Sequence, residues 1–370
     1  MELPIRLLRP TMDDQTWQEL KECYDDGWWS FGPKVKEFEE AFAKKVGAKY
    51  AVATNSATSA LDVCIKAYDL KGGELITPAF TFTSDAHVGE WNGMEVVFAD
   101  IYPDTFCIHP GALPLTKNTK VIVAVDCHGR LADIESIRKY IIGFNLVNNL
   151  SISPLIIEDA AHACYTPGAG QGDITVWSFQ AVKSLPIGDG GMITTNDENI
   201  YNKIRQLTWL GIEKNTYERS LGNKYDADYD IKVGNGVKAY MTNPQAVIGL
   251  GQLRRLDDML IRRREIQDKY NEAFRGNSWF KEPLPSQTVQ YYTAEFEGRD
   301  GLMQFLGENG IHTGLHFKPL SEMTYWKKAV KTPLLGTEVW KRILSLPVHS
   351  ALTDEEQRYI MDKVLAYYEK

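Results

Sequence analysis

The chain has 370 residues, 44% of them hydrophobic and 24% charged, a composition typical of a globular protein with one large and one smaller domain. Its formal net charge of −8 gives no electrostatic case for a nucleic-acid partner. There is no signal-peptide core and no apolar run long enough to cross a bilayer, and five scattered cysteines argue against a disulfide framework or a zinc site. We therefore expect a cytoplasmic protein with no metal, no membrane contact and no nucleic-acid partner.

Strand and helix patterns alternate through the first two hundred residues. Short apolar runs bounded by turn residues predict strands over 50–53, 74–77, 95–98, 121–125, 154–157, 173–179 and 192–195. Apolar residues spaced three and four apart predict helices over 11–28, 33–46, 86–92, 134–142 and 198–210, and another that ends near 67. Such units are typical of a mostly parallel sheet covered on both faces, in which functional groups collect where the strands end.

Small hydroxyl residues follow the first predicted strand. Ser56, Ala57 and Thr58 stand between this strand and the next helix. Backbone N–H groups and the dipole of a helix start favour an anion such as a phosphate, and the Ser56 and Thr58 hydroxyls could add donors. The alternative is an ordinary helix cap by a serine or threonine. The segment alone leaves both interpretations open.

Two aromatic turns also have two interpretations. Phe80 and Phe82 follow the second strand, and either ring could lie flat against an aromatic cofactor, although core packing is the commoner use of phenylalanine. Trp28 and Trp29 lie in a turn between the first two helices, where they either cap the core or line a pocket for a flat or sugar-like ligand.

A carboxylate and an amine follow two later strands. The run over 154–157 ends in Glu158 and Asp159, and Lys183 follows the strand over 173–179, ahead of a glycine turn. An aldehyde cofactor with a basic ring nitrogen uses both groups, because the lysine forms a Schiff base and the aspartate pairs with the protonated pyridinium. Many α/β proteins contain such a pair by chance, so it does not decide the function by itself.

The pattern changes beyond residue 196. The segment over 211–236 is a long polar loop, which is usually functional or part of an interface. The remaining predicted elements are a helix over 243–256 that continues to 274, a strand over 289–296, a helix over 300–309, a strand over 313–317 and a helix over 353–368. We expect a large cofactor-binding domain over 1–255 and a small α+β domain over 256–370.

Taken together, the motifs resemble those of the DegT/DnrJ/EryC1/StrS family of sugar aminotransferases, which are pyridoxal-phosphate enzymes with the aspartate-aminotransferase fold. The resemblance runs over nearly the whole length. The matching segments, in order, are DGWWSFGPKVKEFEEAFAKKVGAKYAV (26–52), SATSAL (56–61), PAFTFTS (78–84), the core over 157–195, MTNPQAVIGLGQL (241–253), LHFKPL (315–320) and LSLPVHSALTDEE (344–356).

The resemblance implies a fold, a cofactor and an assembly. The fold would be that of the fold type I pyridoxal-phosphate transferases, an α/β fold with a mostly parallel seven-stranded sheet in the large domain and a smaller C-terminal α+β domain. The cofactor would be pyridoxal 5'-phosphate. The protein would be a homodimer with its active sites at the subunit interface.

It also implies roles for residues around the cofactor ring. Lys183 would form the Schiff base and afterwards move the proton between the cofactor and the amino-acid α-carbon. Asp159 would pair with the pyridine nitrogen, His162 would lie beside the ring, and Phe82 would stack on its face.

Further residues would hold the cofactor phosphate or border the substrate. Ala57, Thr58 and Ser178 would bind the phosphate, with Ser56 in the same segment. Lys238 matches a family motif that reaches across the dimer interface, whereas Tyr240 replaces the usual Asn or Arg and carries no predicted role. His316 lies in a segment that borders the substrate pocket, and its role stays open.

The implied reaction is a ping-pong transamination. An amino acid, L-glutamate by analogy with the family, donates its amine, which then passes to a nucleotide-linked keto-deoxysugar in amino-sugar biosynthesis. Some relatives have histidine in place of the lysine and act as sugar dehydratases, so the retained Lys183 favours transamination. Dehydration, or a regulatory role without turnover, remains the alternative. The nucleotide, the sugar, the carbon aminated and the stereochemistry are not predicted.

Overall fold

The computed structural model describes residues 3–222 and 224–369. In this part of the chain the central sheet contains seven strands, namely β1 (Tyr50–Thr54), β2 (Glu74–Pro78), β3 (Glu95–Ala99), β4 (Thr119–Val125), β5 (Leu155–Asp159), β6 (Ile174–Ser178) and β7 (Gly191–Thr195). They lie in the order β1–β7–β6–β5–β4–β2–β3. The pairs from β3 to β6 are parallel, whereas β7 is antiparallel to both β1 and β6. The predicted α/β fold class, with its mostly parallel seven-stranded sheet, is confirmed.

Helices cover both faces of this sheet. They are α2 (Pro33–Val46), α3 (Ala57–Ala67), α4 (Ser84–Trp91), α5 (Ile134–Asn148), α6 (Glu198–Leu207) and the start of α8 (Asn243–Phe274). The helix α1 (Asp14–Asp26) packs against α8, and α7 (Thr216–Ser220) lies in the loop over 211–236. Short 3₁₀ helices occupy Pro110–Ala112, Cys127–Gly129, Leu320–Glu322, Thr324–Ala329 and Gly336–Lys341. The central strands have no exposed face, which explains why their sequences are continuous apolar runs.

A second, antiparallel sheet forms in the C-terminal part. Its strands β8 (Phe280–Lys281), β9 (Tyr292–Phe296) and β10 (Ile343–Leu346) lie in the order β10–β9–β8, and α9 (Arg299–Glu308) and α10 (Asp354–Tyr368) accompany them. Ile5 packs in the same apolar cluster as the second half of α8. The helix α8 is continuous across 255, so the division into 1–255 and 256–370 stays a prediction.

Two local predictions are wrong. The segment over 313–317 is not a strand, because only Gly314 pairs with Ser345 of β10, after which the chain turns so that His316 and Phe317 line a cavity. The loop over 211–236 contains the short helix α7, which a capping box stabilises at its start. The Asn215 side chain accepts from the Glu218 N–H at 3.0 Å, and the Glu218 carboxylate accepts from the Asn215 N–H at 3.1 Å.

Candidate active site

A cavity of about 440 Å³ opens at the carboxyl ends of the parallel strands. Three segments that are far apart in sequence meet there, at the ends of β1, β5 and β6, as expected for a sheet of this type. Predicted cofactor residues in its wall are Ser56, Ala57, Thr58, Phe82, Asp159, His162, Ser178 and Lys183. The structure therefore brings together residues that the sequence predicts for one site.

The loop that carries Lys183 begins and ends at the same edge of the sheet. It connects β6 with β7, which are antiparallel, so no crossover is needed. The Lys183 N–H donates to the Gln180 carbonyl at 2.8 Å. Gln290, which is fully buried, donates to the Val182 carbonyl at 2.7 Å and accepts from the Ser184 hydroxyl at 3.0 Å. These bonds fix the backbone on both sides of Lys183.

The amine of Lys183 is held in an unusual electrostatic state. Burial disfavours the charged ammonium and lowers the pKa of Lys183 to about 8, although Asp159 and, when it is ionised, Asp85 oppose this shift. About a tenth of the amine is therefore free at pH 7, far more than for an ordinary lysine, and the free amine is the nucleophile that attacks an aldehyde.

The Asp159 carboxylate lies at the end of β5 and forms part of the cavity wall. Its Oδ1 accepts from the Ala161 N–H at 2.9 Å. Burial raises the pKa of Asp159, whereas this backbone bond and Lys183 act to lower it. A protonated ring nitrogen fits here, because it would supply the positive charge and the hydrogen-bond donor that a buried carboxylate lacks.

A cradle for a phosphate lies at the start of α3. The Ala57 and Thr58 N–H groups occupy the first turn, where a helix has no internal acceptors for them. Gly191 of β7 passes so close that an added Cβ would lie 2.6 Å from the Ala57 nitrogen. The missing side chain thus permits a tight approach between β7 and the phosphate segment, and the donors suit an anion.

Ser56 matches the alternative interpretation of this segment. Its hydroxyl oxygen accepts from the Ser59 N–H at 3.0 Å, and the hydroxyl donates to the Ser59 Oγ, also at 3.0 Å. Ser56 is therefore the helix cap of α3, and its hydroxyl is already engaged. Thr58 and Ser178 remain as hydroxyl groups of the cavity wall for a phosphate.

Aromatic rings form the remaining wall. Phe82 lines the cavity and is 60% exposed, whereas Phe80 is fully buried in the core, so the structure selects Phe82 as the ring available to a cofactor. His162 stacks with Phe317 at a centroid distance of 5.6 Å. Burial holds the pKa of His162 well below its usual value, so its imidazole is neutral and able to lie against a flat ring.

Similarity to known proteins extends over nearly the whole chain. The model of the DegT/DnrJ/EryC1/StrS aminotransferase family matches residues 10–365. The chain belongs to the DegT/DnrJ/EryC1/StrS aminotransferase family. It is 34% identical, over 380 residues, to the spore coat polysaccharide biosynthesis protein SpsC of Bacillus subtilis (strain 168), a match that covers 96% of this chain and 95% of that protein.

Solved structures of sugar-processing proteins are similar to this chain over nearly its whole length. The PLP form of Spr1654 from Streptococcus pneumoniae matches with a TM-score of 0.87 and 27% identity, covering 99% of both chains. DesI, solved in the presence of its TDP-sugar product, matches with a TM-score of 0.83 and 27% identity, covering 100% of this chain and 97% of that chain. The protein is accordingly a pyridoxal-phosphate-dependent sugar aminotransferase.

One predicted cofactor residue of this aminotransferase lies elsewhere. Lys238 is exposed and sits near the rings of Trp209 and Tyr240, 5.9 and 6.0 Å from their centroids. It is outside the wall of its own chain's cavity. This position leaves the Lys238 amine free to meet another molecule.

Several residues of the aminotransferase site escaped the sequence analysis. Asp85, Tyr291, Phe317 and Gln290 lie in or directly behind the cavity wall. His316, whose role was left open, stacks on Tyr291 at a centroid distance of 3.7 Å. No pattern in the sequence reveals these neighbours, because each depends on contacts between distant segments.

Further chemistry-bearing side chains lie beside the cavity. Cys127, His128 and His162 can place one ligand atom each within 4.8 Å of one another. The cysteine spacing gave no sign of this cluster, and the expectation of no metal stays a prediction. Within the described residues of the aminotransferase, none of the helices combines the length and the apolar character that a membrane crossing requires.

Proposed function

We propose that the aminotransferase moves an amine from L-glutamate to a nucleotide-linked keto-deoxysugar, and that it does so as a homodimer with its active sites at the interface. One observation carries the proposal. A partly deprotonated Lys183, a buried Asp159 and a phosphate cradle share one cavity. The TDP-sugar product of DesI supports a nucleotide-linked substrate of this class.

The side chains around the cofactor ring have separate tasks in this proposal. When bound, pyridoxal phosphate supplies an electron sink for the carbanion formed at the amino-acid α-carbon. Lys183 would hold the cofactor covalently through Nζ, and once the donor had displaced it the free amine would carry the proton from the α-carbon. The Asp159 carboxylate would accept a charged hydrogen bond from the protonated ring nitrogen, which keeps its proton. Phe82 and His162, which line the cavity, would contact the ring with their flat faces.

The phosphate end relies mainly on the backbone. The Ala57 and Thr58 N–H groups donate at the positive end of α3, and the Thr58 and Ser178 hydroxyls add donors. Ser56 shapes the turn as the helix cap. The family often has Gly at the position of Ala57, and this replacement is a small change because the backbone N–H is retained.

The assembly and the location are part of the proposal. In this proposal the exposed Lys238 reaches the cofactor site of the neighbouring subunit, so that the active sites would lie at the dimer interface. The five cysteines are free thiols, and four of them are buried. Free thiols support a reducing compartment such as the cytoplasm.

The visible absorption spectrum before and after addition of L-glutamate tests the proposal. We expect the purified protein to show the band of a lysine-bound cofactor, and this band should bleach as the donor delivers its amine. Lys183→Ala should lack the band and lose turnover.

Three results would contradict parts of the proposal. A band that ignores glutamate but responds to another amino acid would remove L-glutamate as the donor. A band that responds to no amino donor would favour dehydration or a regulatory role. Absence of any band after pyridoxal phosphate is added would refute the role of Lys183.

A further inference from the structure

A second carboxylic acid lies directly behind the one that faces the cavity. Asp85 is in the first turn of α4 and is fully buried. Its Oδ2 accepts from the Thr81 hydroxyl at 2.5 Å. Its Oδ1 has no hydrogen-bond donor among the described residues. A buried carboxylate with one oxygen left without a donor is unfavourable, so this oxygen calls for a proton or a partner.

The partner is Asp159. The side chains of Asp85 and Asp159 interact electrostatically, and both are shielded from water. Thr81, which donates to Asp85, and Ser84, which precedes it, line the same cavity as Asp159. Asp159 lines the cavity, whereas Asp85 lies behind it. Two carboxyl oxygens approach each other favourably only when one of the groups carries a proton.

The surrounding charges show which group holds the proton. Burial raises the pKa of Asp159 and Glu158 acts in the same direction, but the Asp159 Oδ1 accepts from the Ala161 N–H at 2.9 Å, and this bond and Lys183 favour its anion. Burial and the negative Asp159 raise the pKa of Asp85 well above its usual range, although the Thr81 hydroxyl and Lys183 act to lower it. The Asp85 Oδ1 has no donor among the described residues, in contrast to the Asp159 Oδ1. The negative charge therefore belongs on Asp159 and the proton on Asp85.

We propose that Asp85 is a positioning residue, which stays protonated at neutral pH and donates a hydrogen bond to Asp159. This bond would orient the carboxylate toward the ring nitrogen and leave the pair with a single negative charge, which matches a single pyridinium. The inference rests on the proposed role of Asp159 and extends it to a residue that does not touch the cofactor.

Two substitutions of Asp85 test whether it acts as a neutral hydrogen-bond donor or as a negatively charged group. The amide of Asp85→Asn can donate to Asp159 without a charge, so its dissociation constant for pyridoxal phosphate should stay within about threefold of wild type. Asp85→Ala removes the donor, and we expect binding weaker by about tenfold or more. Equal and large losses in both variants would overturn the proposal, because they would show that the charge of Asp85 is required.

Infrared spectroscopy on the cofactor-free full chain tests the protonation directly. The wild type minus Asp85→Asn difference spectrum should contain the carbonyl stretch of a protonated carboxylic acid at neutral pH. The difference is needed because Asp126 is also fully buried, with a raised pKa, and could contribute such a band. A difference spectrum with only carboxylate bands would refute the proposal.

Failure here is distinguishable from failure of the proposed function. The infrared measurement uses the cofactor-free protein, so its result does not depend on whether Asp159 contacts the cofactor ring. If the carbonyl stretch of a protonated carboxylic acid is found but the visible spectrum shows no lysine-bound cofactor, the protonated Asp85 is supported and the proposed function fails. Thermal unfolding of both variants shows whether either change has disrupted the fold.

Discussion

The amine of Lys183 and the carboxylate of Asp159 were both predicted from the sequence, because each follows an apolar strand closely. Asp85 was not, although it is only one residue beyond the matching segment over 78–84. The local sequence around Asp85 indicates only an ordinary acidic residue in the first turn of a helix. Its burial against Asp159 depends on two strands that lie far apart in the chain, and no local pattern reports that.

The depressed pKa of Lys183 predicts how the cofactor-free protein takes up pyridoxal phosphate. The free amine is the nucleophile, so the rate of incorporation should rise with pH through a midpoint near 8 and then level off. Stopped-flow absorbance measures this rate. If the lysine had its usual pKa of about 10.4, the rate of incorporation would still be rising with pH near pH 9. That behaviour in the wild type would contradict the prediction.

The same shift has a consequence for stability, with a definite sign. The folded pKa of Lys183 is about 8, below the reference value of 10.5, so the unfolded chain binds more protons between these values. Lys183 therefore makes the free energy of unfolding of the cofactor-free protein rise as pH increases through this window. Lys183→Met should remove this contribution to the slope, which urea unfolding at several pH values would show.

At the scale of elements, strands buried on both faces were predicted well. Their apolar runs are continuous, and this pattern does not depend on register. The strand over 313–317 was wrong, and β10 was missed, because both stretches are short and apolar in part. Which of them joins β9 is decided by tertiary packing rather than by local preference. The five-residue helix α7 is too short for any periodicity to show.

Gly191 couples β7 to the phosphate segment, so a methyl group there should damage cofactor binding. In Gly191→Ala the new Cβ would meet the Ala57 nitrogen and the Ser56 carbonyl carbon, both at 2.6 Å, and the segment would have to move. We expect pyridoxal phosphate to bind at least about tenfold more weakly and the protein to lose about 1–3 kcal/mol of stability. Cofactor titration and thermal unfolding measure both effects.

Gly143 provides the matched control. It lies within α5, and an added Cβ would meet nothing within 4 Å. Gly143→Ala should therefore keep cofactor affinity and gain about 0.5–1 kcal/mol of stability. Wild-type affinity in Gly191→Ala would show that the close approach is not required.

At the scale of the whole molecule, the order of motifs was enough to predict the fold class and the family, since the matches run over nearly all the chain. The order of motifs did not predict where Lys238 lies in its own chain. Its sequence context predicted a cofactor contact, but the chain places it away from its own cavity. The proposed dimer would reconcile the predicted contact with this position, and a single sequence does not specify the geometry of such an assembly.

Mixed dimers test the proposed role of Lys238. Lys183→Ala and Lys238→Ala should each impair the homodimer. If Lys238 serves the neighbouring site, each mixed dimer has one site with both lysines intact. An equal mixture should then regain about a quarter of wild-type activity, since half of the dimers are mixed and half of their sites are complete.

Mixing should restore nothing if Lys238 acts within its own subunit, because no site would then contain both lysines. Lys232→Ala is a suitable control, since this exposed lysine pairs with Asp230 in the same loop. Its homodimer should retain full activity. A loss equal to that of Lys238→Ala would mean that the loop, rather than the lysine, is responsible.

The place of β7 between β1 and β6 has a consequence for the order of folding. Its two neighbours begin at Tyr50 and Ile174, so β1 must find β7 across more than a hundred residues of chain. Pairings this distant in sequence form late, since the entropy of closing a long loop opposes them. We therefore expect the nascent chain to complete its sheet before it binds pyridoxal phosphate. The cofactor would then bind molecules that are already folded and would not direct their folding.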